Sequence, residues 1–214
     1  MKNFRRSYDA EMSGLKKAGS VFPWENPEAY KMWLGQTYYF ARMTTRFLAL
    51  TGAHLDLSYD QLHQRFMDHV REERGHERIL LQDLKAMGAE IHEIPELAST
   101  AGFYQSQFYW IQHRHPLSFF GYIITLEGLA LEYGTEACRR AASAHGPKAA
   151  NFLKVHAEED KDHTEKAFQQ LESLHLDSKI EGLIIENFKL STQLYKLMLK
   201  EAAEGNEIKL KLAA

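Results

Sequence analysis

Apolar side chains recur along most of the chain at steps of three and four residues. Leu62, Phe66 and Val70 follow this spacing, and so do Ile180 and Ile184 near the other end. Such a period predicts amphipathic α-helices that each bury one face. The chain offers none of the closely spaced turn signals that indicate β-hairpins. The pattern therefore predicts an all-α fold.

Five prolines divide the chain into long pieces, and most stand where a helix can begin. Asn26 followed by Pro27 provides an N-cap and a first helical residue, and Gly88 stands where a left-handed C-cap is needed. We expect one domain over residues 1–214, a seven-helix bundle in which helix 116–144, apolar almost all round, is central. The predicted helices span about residues 8–18, 27–51, 58–88, 95–112, 116–144, 147–173 and 177–204.

Composition limits the classes of function open to the chain. With 214 residues, 44% of them apolar, it can bury one substantial core. The net charge is -3 and no run of Lys or Arg exceeds a pair, so we expect no nucleic-acid partner. The longest apolar stretch ends at Glu127, too early for a membrane span. The single cysteine, Cys138, precludes an internal disulfide, and a cytoplasmic location is expected.

Two octapeptides of one pattern carry four of the eleven histidines. HVREERGH occupies residues 69–76 and HAEEDKDH occupies residues 156–163. On an α-helix the first, fifth and eighth positions fall at about 0°, 40° and 340° around the axis, on one narrow face. Each octapeptide is therefore expected to direct two imidazoles and a carboxylate at one point. These groups are His69, Glu73 and His76, and His156, Asp160 and His163.

Imidazole and carboxylate ligands suit iron or manganese and need no thiolate. The spacing Glu73-x-x-His76 is also the Glu-x-x-His spacing of di-iron helical bundles. Glu127 is the first charge in the apolar central helix, where an unpaired carboxylate would cost several kcal/mol, and a metal would remove that cost. Asp83, two turns after His76, either orients an imidazole or is a surface acid. Glu132 is predicted to be a surface charge.

Together these residues resemble the heme-oxygenase-like diiron oxidase and oxygenase superfamily, also described as iron-containing redox enzymes. The resemblance covers about residues 30–175 and is carried by the segment EERGHERILLQDL, the lone Glu127 and the later HxxxDxxH. It implies the fold of heme oxygenase, TenA thiaminases and PQQ-synthesis protein C. It also implies that Glu73 is the acid nearest His76, and that the iron ligands are His76, Glu127, His156, Asp160 and His163.

The resemblance further implies Fe(II)/Fe(III) as cofactor, with two ions expected and manganese as the alternative metal. Superfamily members usually add a carboxylate, either from the preceding helix or two turns before the first His. Here helix 27–51 has no inward acid after Glu28 and shows Tyr38 and Tyr39 instead, and His69 stands two turns before His76. A nitrogen-rich shell that includes His69, or a single ion, fits the sequence as well.

We expect an O2-activating oxidase or oxygenase that uses an external reductant and forms a homodimer. Its substrate would be small, either amino-acid-like or acyl, in a mostly apolar pocket. Glu127 and Tyr39 are the predicted catalytic residues, since a tyrosine near iron can itself be oxidised, as could Tyr38 or Tyr122. The alternatives are a non-catalytic metal- or ligand-binding protein of the same fold, and a TenA-like thiaminase with Cys138 as nucleophile.

Overall fold

The computed structural model describes residues 2–159 and 163–204, and all regular structure within these ranges is helical. The predicted all-α architecture is thus confirmed. No helix of the described part is long and apolar enough to cross a membrane. The α-helices are α1 (Lys2–Val21), α2 (Pro27–Ala41), α3 (Thr44–His54), α4 (Asp60–Glu72), α5 (His76–Ala86), α6 (Ala98–Tyr109), α7 (Phe120–Leu129), α8 (Thr135–His145), α9 (Asn151–Glu159), α10 (His163–Ser173) and α11 (Ser178–Ala203).

Two of the predicted helices are interrupted where the sequence pattern continues. The predicted helix 27–51 is divided into α2 and α3, and the predicted helix 58–88 into α4 and α5. The second break lies at Gly75, whose φ of 97° is a conformation that residues with a Cβ rarely adopt. The prediction of one continuous helix 58–88 was therefore wrong, since a backbone with this φ cannot continue an α-helix.

The helix ends follow the predicted capping residues. The side chain of Asn26 accepts hydrogen bonds from the backbone N–H groups of Glu28 and Ala29, and Pro27 is the first residue of α2. Gly88 ends the α5 region with a φ of 70°, as expected of a left-handed C-cap. These local signals placed both helix ends correctly.

The central position predicted for the apolar helix is also confirmed. Every residue of α7 from Phe120 to Thr125 is buried. A Cβ added to Gly121 would lie 2.5 Å from the backbone nitrogen of Phe188 and 2.6 Å from the carbonyl oxygen of Ile184. The α7 and α11 backbones therefore approach each other closely at a position that only glycine allows.

A π-helical turn, Ala130–Gly134, follows α7 directly and leads into α8 without a loop. Such single-turn π segments within helices are frequent at functional sites, since they change the direction of the side chains that follow. Here the turn begins three residues after Glu127. Ala130, Tyr133 and Gly134 from this turn all line one cavity of about 140 Å³, the main cavity of the described residues.

Candidate metal centre

Three side chains from separate helical segments bring their ligand atoms together. One ligand atom each from Glu73, His76 and His156 lies within 4.8 Å of the other two. The His76 and His156 ring centroids are 5.1 Å apart, and the rings are nearly perpendicular. All three side chains are partly buried. The geometry and the donor types therefore suit a single divalent cation such as Fe(II).

The Glu73 carboxylate is the centre of this group. Its oxygens lie 3.2 Å from Nδ1 of His76 and 3.5 Å from Nε2 of His69. Burial by itself would raise the pKa of the Glu73 carboxyl, but the contacts with the His69 and His76 rings and the nearby His156 ring outweigh that effect. The pKa is therefore held well below its usual range, and Glu73 is anionic at neutral pH.

The turn at Gly75 places His76 next to Glu73, whereas the prediction placed both residues on one continuous helix. Glu73 is the C-cap residue of α4, and its backbone angles are still helical. Its backbone N–H donates a hydrogen bond to the carbonyl oxygen of His69, which keeps the two side chains adjacent. Gly75 then reverses the sign of φ, and His76 begins α5. The three groups of the first octapeptide thus come together across a helix break rather than on one helical face.

His156 is oriented by its own helix. Its Nδ1 lies 2.9 Å from the carbonyl oxygen of Phe152, one turn earlier in α9. A carbonyl only accepts hydrogen bonds, so Nδ1 carries a proton and Nε2 is the nitrogen that can offer a lone pair to a metal. A metal-binding histidine typically donates its other ring N–H in this way, which fixes its tautomer.

Asp83 links the helix that carries His76 to the helix that carries His156. It is completely buried, and its carboxylate accepts hydrogen bonds from the backbone N–H of Phe152 at 2.8 Å and from the Asn151 side chain at 3.0 Å. The anion thus caps the first turn of α9, where unpaired N–H groups and the helix dipole favour negative charge. Asp83 is therefore not a surface acid, and any influence on an imidazole is indirect, because it bonds to the start of α9 rather than to a histidine ring.

Glu127 and His69 lie between two cavities. Both line the main cavity, of about 140 Å³, which also borders Glu73, His76 and His156. Both also line a second cavity of about 40 Å³ between α4, α7 and α10. Neither belongs to the compact three-residue group, although His69 contacts Glu73 directly. The side chains of His69, Glu73, His76 and Glu127 therefore border one cavity, and the assignment of His69 and Glu127 as metal ligands stays a prediction.

The remaining predicted ligands come from the second octapeptide. Asp160 lies outside the described residues, and His163 is the first residue of α10. These two assignments stay predictions based on the motif.

Tyr39 does not lie at the metal centre. Its hydroxyl donates a hydrogen bond to the carbonyl oxygen of Ile94 at 2.7 Å, and the Arg42 guanidinium lies over its ring. Neither Tyr39 nor Tyr38 lines the main cavity. The residues on either side of this pair in sequence, Thr37 and Phe40, do line it. The predicted catalytic role of Tyr39 therefore has no support in the geometry.

Other predicted surface and thiol positions are now located. Glu132 forms an ion pair with Lys16 at 2.9 Å at the surface, which confirms the prediction that it is a surface charge. Cys138 lies in α8 near the carbonyl of Ala150 and is not among the residues that line the main cavity. A nucleophilic role for Cys138 in this cavity is therefore disfavoured.

Sequence reasoning missed the groups that α2 and α11 contribute. Thr37 and Trp33 line the cavity from α2, and Tyr195 and Leu199 line it from α11. The indole N–H of Trp33 donates a hydrogen bond to the Tyr195 hydroxyl at 3.2 Å, across 162 positions of sequence. Apolar periodicity identifies such residues as inward-facing, but it does not distinguish a cavity wall from solid core.

Comparison with known proteins places these features in a family. Residues 31–196 match the family model described as iron-containing redox enzyme. No protein of curated function is significantly similar in sequence.

Several solved structures share the fold at low sequence identity. A domain with a heme oxygenase-like fold from Shewanella denitrificans superposes with a TM-score of 0.80 at 16% identity, covering 92% of this chain and 90% of the other. A TenA homologue from Pseudomonas syringae gives 0.80 at 13% identity, with coverage of 94% and 93%. A TenA homologue from Pyrococcus furiosus gives 0.74 at 14% identity, with coverage of 93% and 99%. These similarities show the fold alone.

Proposed function

The chain belongs to the family of iron-containing redox enzymes, and from this premise we propose that it is a non-heme iron oxidoreductase. It would use O2 and an external reductant to oxidise a small organic molecule in the main cavity. The observation that carries the proposal is the convergence of Glu73, His76 and His156 to within 4.8 Å at the wall of that cavity.

The described residues fit one iron ion. Two imidazoles and a carboxylate from three helical segments make a mixed nitrogen and oxygen donor set, which non-heme Fe(II) sites use. Bound iron would supply one-electron redox chemistry with O2. We propose that a second ion would be held by Glu127 together with Asp160 and His163, the ligands that the motif predicts.

The protein residues have separate roles in this proposal. Glu73 stays anionic because of its contacts with the His69 and His76 rings, so it offers a charged ligand at neutral pH. His156 presents Nε2, since its Nδ1–H is committed to the Phe152 carbonyl. Asp83 fixes the start of α9 and thereby the position of His156. Around these polar groups the cavity wall is mainly aromatic and aliphatic, which favours an organic molecule over bulk water.

The test is metal loading of wild type and a matched pair of histidine variants. His156→Ala removes a proposed ligand. His54→Ala removes a histidine whose Nδ1 makes the same contact, 2.9 Å from the carbonyl one turn earlier, but at the exposed end of α3. Apo protein would be titrated anaerobically with Fe(II), and iron content, optical spectra and O2 consumption would be recorded.

We expect wild type and His54→Ala to retain stoichiometric iron and to consume O2 faster than free iron does. His156→Ala should lose most of its iron. Equal iron retention by the two variants would contradict the proposed site. Iron that binds to wild type but causes no O2 uptake above the free-iron control would instead indicate a non-catalytic binding protein. If the protein cleaved thiamine and Cys138→Ser kept the full rate of that cleavage, a thiaminase mechanism with Cys138 as nucleophile would be contradicted.

A further inference from the structure

The buried glycines of the bundle differ in what surrounds them. Six glycines in the helical segments of the described residues are buried, and at five of them an added Cβ would lie within 3.0 Å of an atom of another residue. Such close packing is a sufficient reason for glycine. The five are Gly19, Gly35, Gly52, Gly121 and Gly128. The sixth is Gly134, where the nearest atom would be 3.7 Å away, so packing does not require glycine there.

The backbone does not require glycine at position 134 either. Its φ of -56° and ψ of -43° are ordinary right-handed helical angles, which residues with a Cβ adopt freely. Glycine nevertheless destabilises a helix relative to alanine, because its backbone loses more conformational freedom on folding. Gly134 is therefore unfavourable for local stability, and neither packing nor backbone geometry accounts for it.

The space that Gly134 leaves open adjoins the main cavity. Gly134 lines this cavity, and so do the two residues nearest to the missing Cβ, Ala157 at 3.7 Å and Ala130 at 3.8 Å. These three residues carry no side chain larger than a methyl group. Ala157 directly follows the proposed metal ligand His156 in α9. The small-residue wall therefore lies where α9 brings a proposed ligand to the cavity.

The volume of the cavity limits the group that can lie against this wall. It is about 140 Å³. An engineered apolar cavity of about 150 Å³ in another protein binds benzene, a molecule of six non-hydrogen atoms. By the same measure this cavity admits a single ring or an aliphatic group of similar size. In a pocket that fits so closely, one methyl group more or less changes the affinity for a ligand by about tenfold or more.

We propose that Gly134 determines which organic molecules the cavity accepts, by leaving room for a compact apolar group of about six non-hydrogen atoms, such as a single ring. A side chain at position 134 would take the space that this group needs next to Ala130 and Ala157. As a statement about substrate specificity, the inference rests on the proposed oxidoreductase function. As a statement about binding, it applies equally to the metal-free protein.

The test uses benzene and xenon as probes of the metal-free protein. Benzene has the size of the expected group, whereas xenon is a single atom and needs much less space. Binding would be measured by NMR titration for wild type, Gly134→Ala and Gly134→Leu. Gly102→Ala and Gly102→Leu are the matched controls, since a Cβ on Gly102 of α6 would also have 3.7 Å of clearance, from the Leu194 side chain, but Gly102 does not line the cavity. Thermal denaturation would show that each variant is folded.

We expect Gly134→Ala to bind benzene about tenfold more weakly than wild type and to bind xenon with nearly unchanged affinity. Gly134→Leu should bind no benzene, because its isobutyl group occupies most of the space. Both Gly102 variants should bind benzene as wild type does. Gly134→Ala and Gly102→Ala should each have a slightly higher Tm than wild type, because alanine favours the helix and nothing obstructs the new Cβ.

Four outcomes would overturn the inference. Wild type might bind no benzene, Gly134→Ala could bind it with wild-type affinity, Gly102→Ala could weaken it equally, or Gly134→Ala could have a lower Tm than wild type, which would reveal a packing requirement for glycine. Iron loading of the same preparations separates this inference from the proposed function. Iron binding with equal benzene affinities of wild type and Gly134→Ala would contradict only the role of Gly134. The expected loss of benzene affinity without iron binding would contradict only the proposed function.

Discussion

Replacing Asp83 by asparagine tests whether the link between α5 and α9 sets the metal site. The carboxylate now accepts one hydrogen bond from the Phe152 backbone and one from the Asn151 side chain. The two bonds reach different carboxylate oxygens, and asparagine replaces one of these oxygens with an NH2 group, so only one bond can survive in the same geometry. Its NH2 group would then face the NH2 group of Asn151, where two donors meet.

The expected loss of stability follows from the burial of these groups. A hydrogen bond to a charged group contributes about 1.5–3 kcal/mol, and a buried donor left without a partner costs a similar amount. We therefore expect Asp83→Asn to lower the free energy of unfolding by about 2 kcal/mol, which a domain of ordinary stability tolerates. The start of α9 should loosen, and His156 should lose its fixed position relative to His76.

Metal affinity is the decisive measurement for this variant. Groups that orient metal ligands typically change metal affinity by about 10- to 100-fold when they are replaced, and we expect about tenfold weaker binding of Fe(II) or Co(II). The Co(II) absorption spectrum should shift, because the His156 ligand would be displaced. Urea denaturation and metal titration of the same samples give both quantities.

Asn187→Ala is the matched control. Asn187 is buried on α11 and donates a hydrogen bond to Gln107 of α6 at 2.8 Å, a comparable link between two helices that carry none of the three clustered ligands. It should lose a similar amount of stability with little change in metal affinity. If Asp83→Asn were destabilised as expected but bound metal with wild-type affinity and spectrum, Asp83 would be a structural residue only.

The difference in stability between wild type and Asp83→Asn should depend on pH. Burial raises the pKa of the Asp83 carboxyl, and the hydrogen bonds from Phe152 and Asn151 only partly oppose this. The folded state therefore holds the proton more tightly than the unfolded state, whose pKa is about 3.9. Wild type should therefore exceed Asp83→Asn in stability by the largest amount at low pH. This excess should shrink as the pH rises from about 3.9 through the raised pKa of the folded state. Urea titrations at several pH values would reveal it, and a difference that grows with pH would contradict the argument.

Three further predictions follow from single positions. Gly75→Ala and Gly88→Ala each place a Cβ on a backbone with positive φ, at the two ends of α5. Each should lower the free energy of unfolding by about 1–2 kcal/mol. In metal titrations, however, only Gly75→Ala should weaken metal binding. Gly121→Ala should lower the free energy of unfolding by about 1–3 kcal/mol or more, seen by calorimetry, because the new Cβ would meet the α11 backbone; an unchanged Tm would contradict the close helix contact. The hydrogen bond from Arg140 lowers the pKa of Glu25 to about 2. Glu25→Gln should therefore be slightly less stable than wild type above about pH 4.5 and equal to it near pH 2. Denaturation curves at both pH values would show this, and equal stability of the two proteins at neutral pH would contradict it.

Much of the fold and part of the site follow from local sequence patterns. The three- and four-residue apolar period is a property of single helices, and it identified the all-α architecture and the buried central segment before Glu127. The spacing within the first octapeptide also predicted that His69, Glu73 and His76 lie close together, and the Glu73 carboxylate does contact both rings. Side-chain chemistry alone sufficed to favour iron or manganese over a thiolate-bound metal.

What the tertiary structure decided depends on contacts between distant segments. Gly75 breaks the helix on which the spacing argument relied, yet the turn that it makes still delivers His76 to Glu73. Asp83 could not be assigned from sequence, because its partners in α9 lie 68 and 69 positions away. Periodicity reports which face of a helix is buried, and it carries no information on what that face meets. The main cavity exists only because separate helices pack together without filling the space between them.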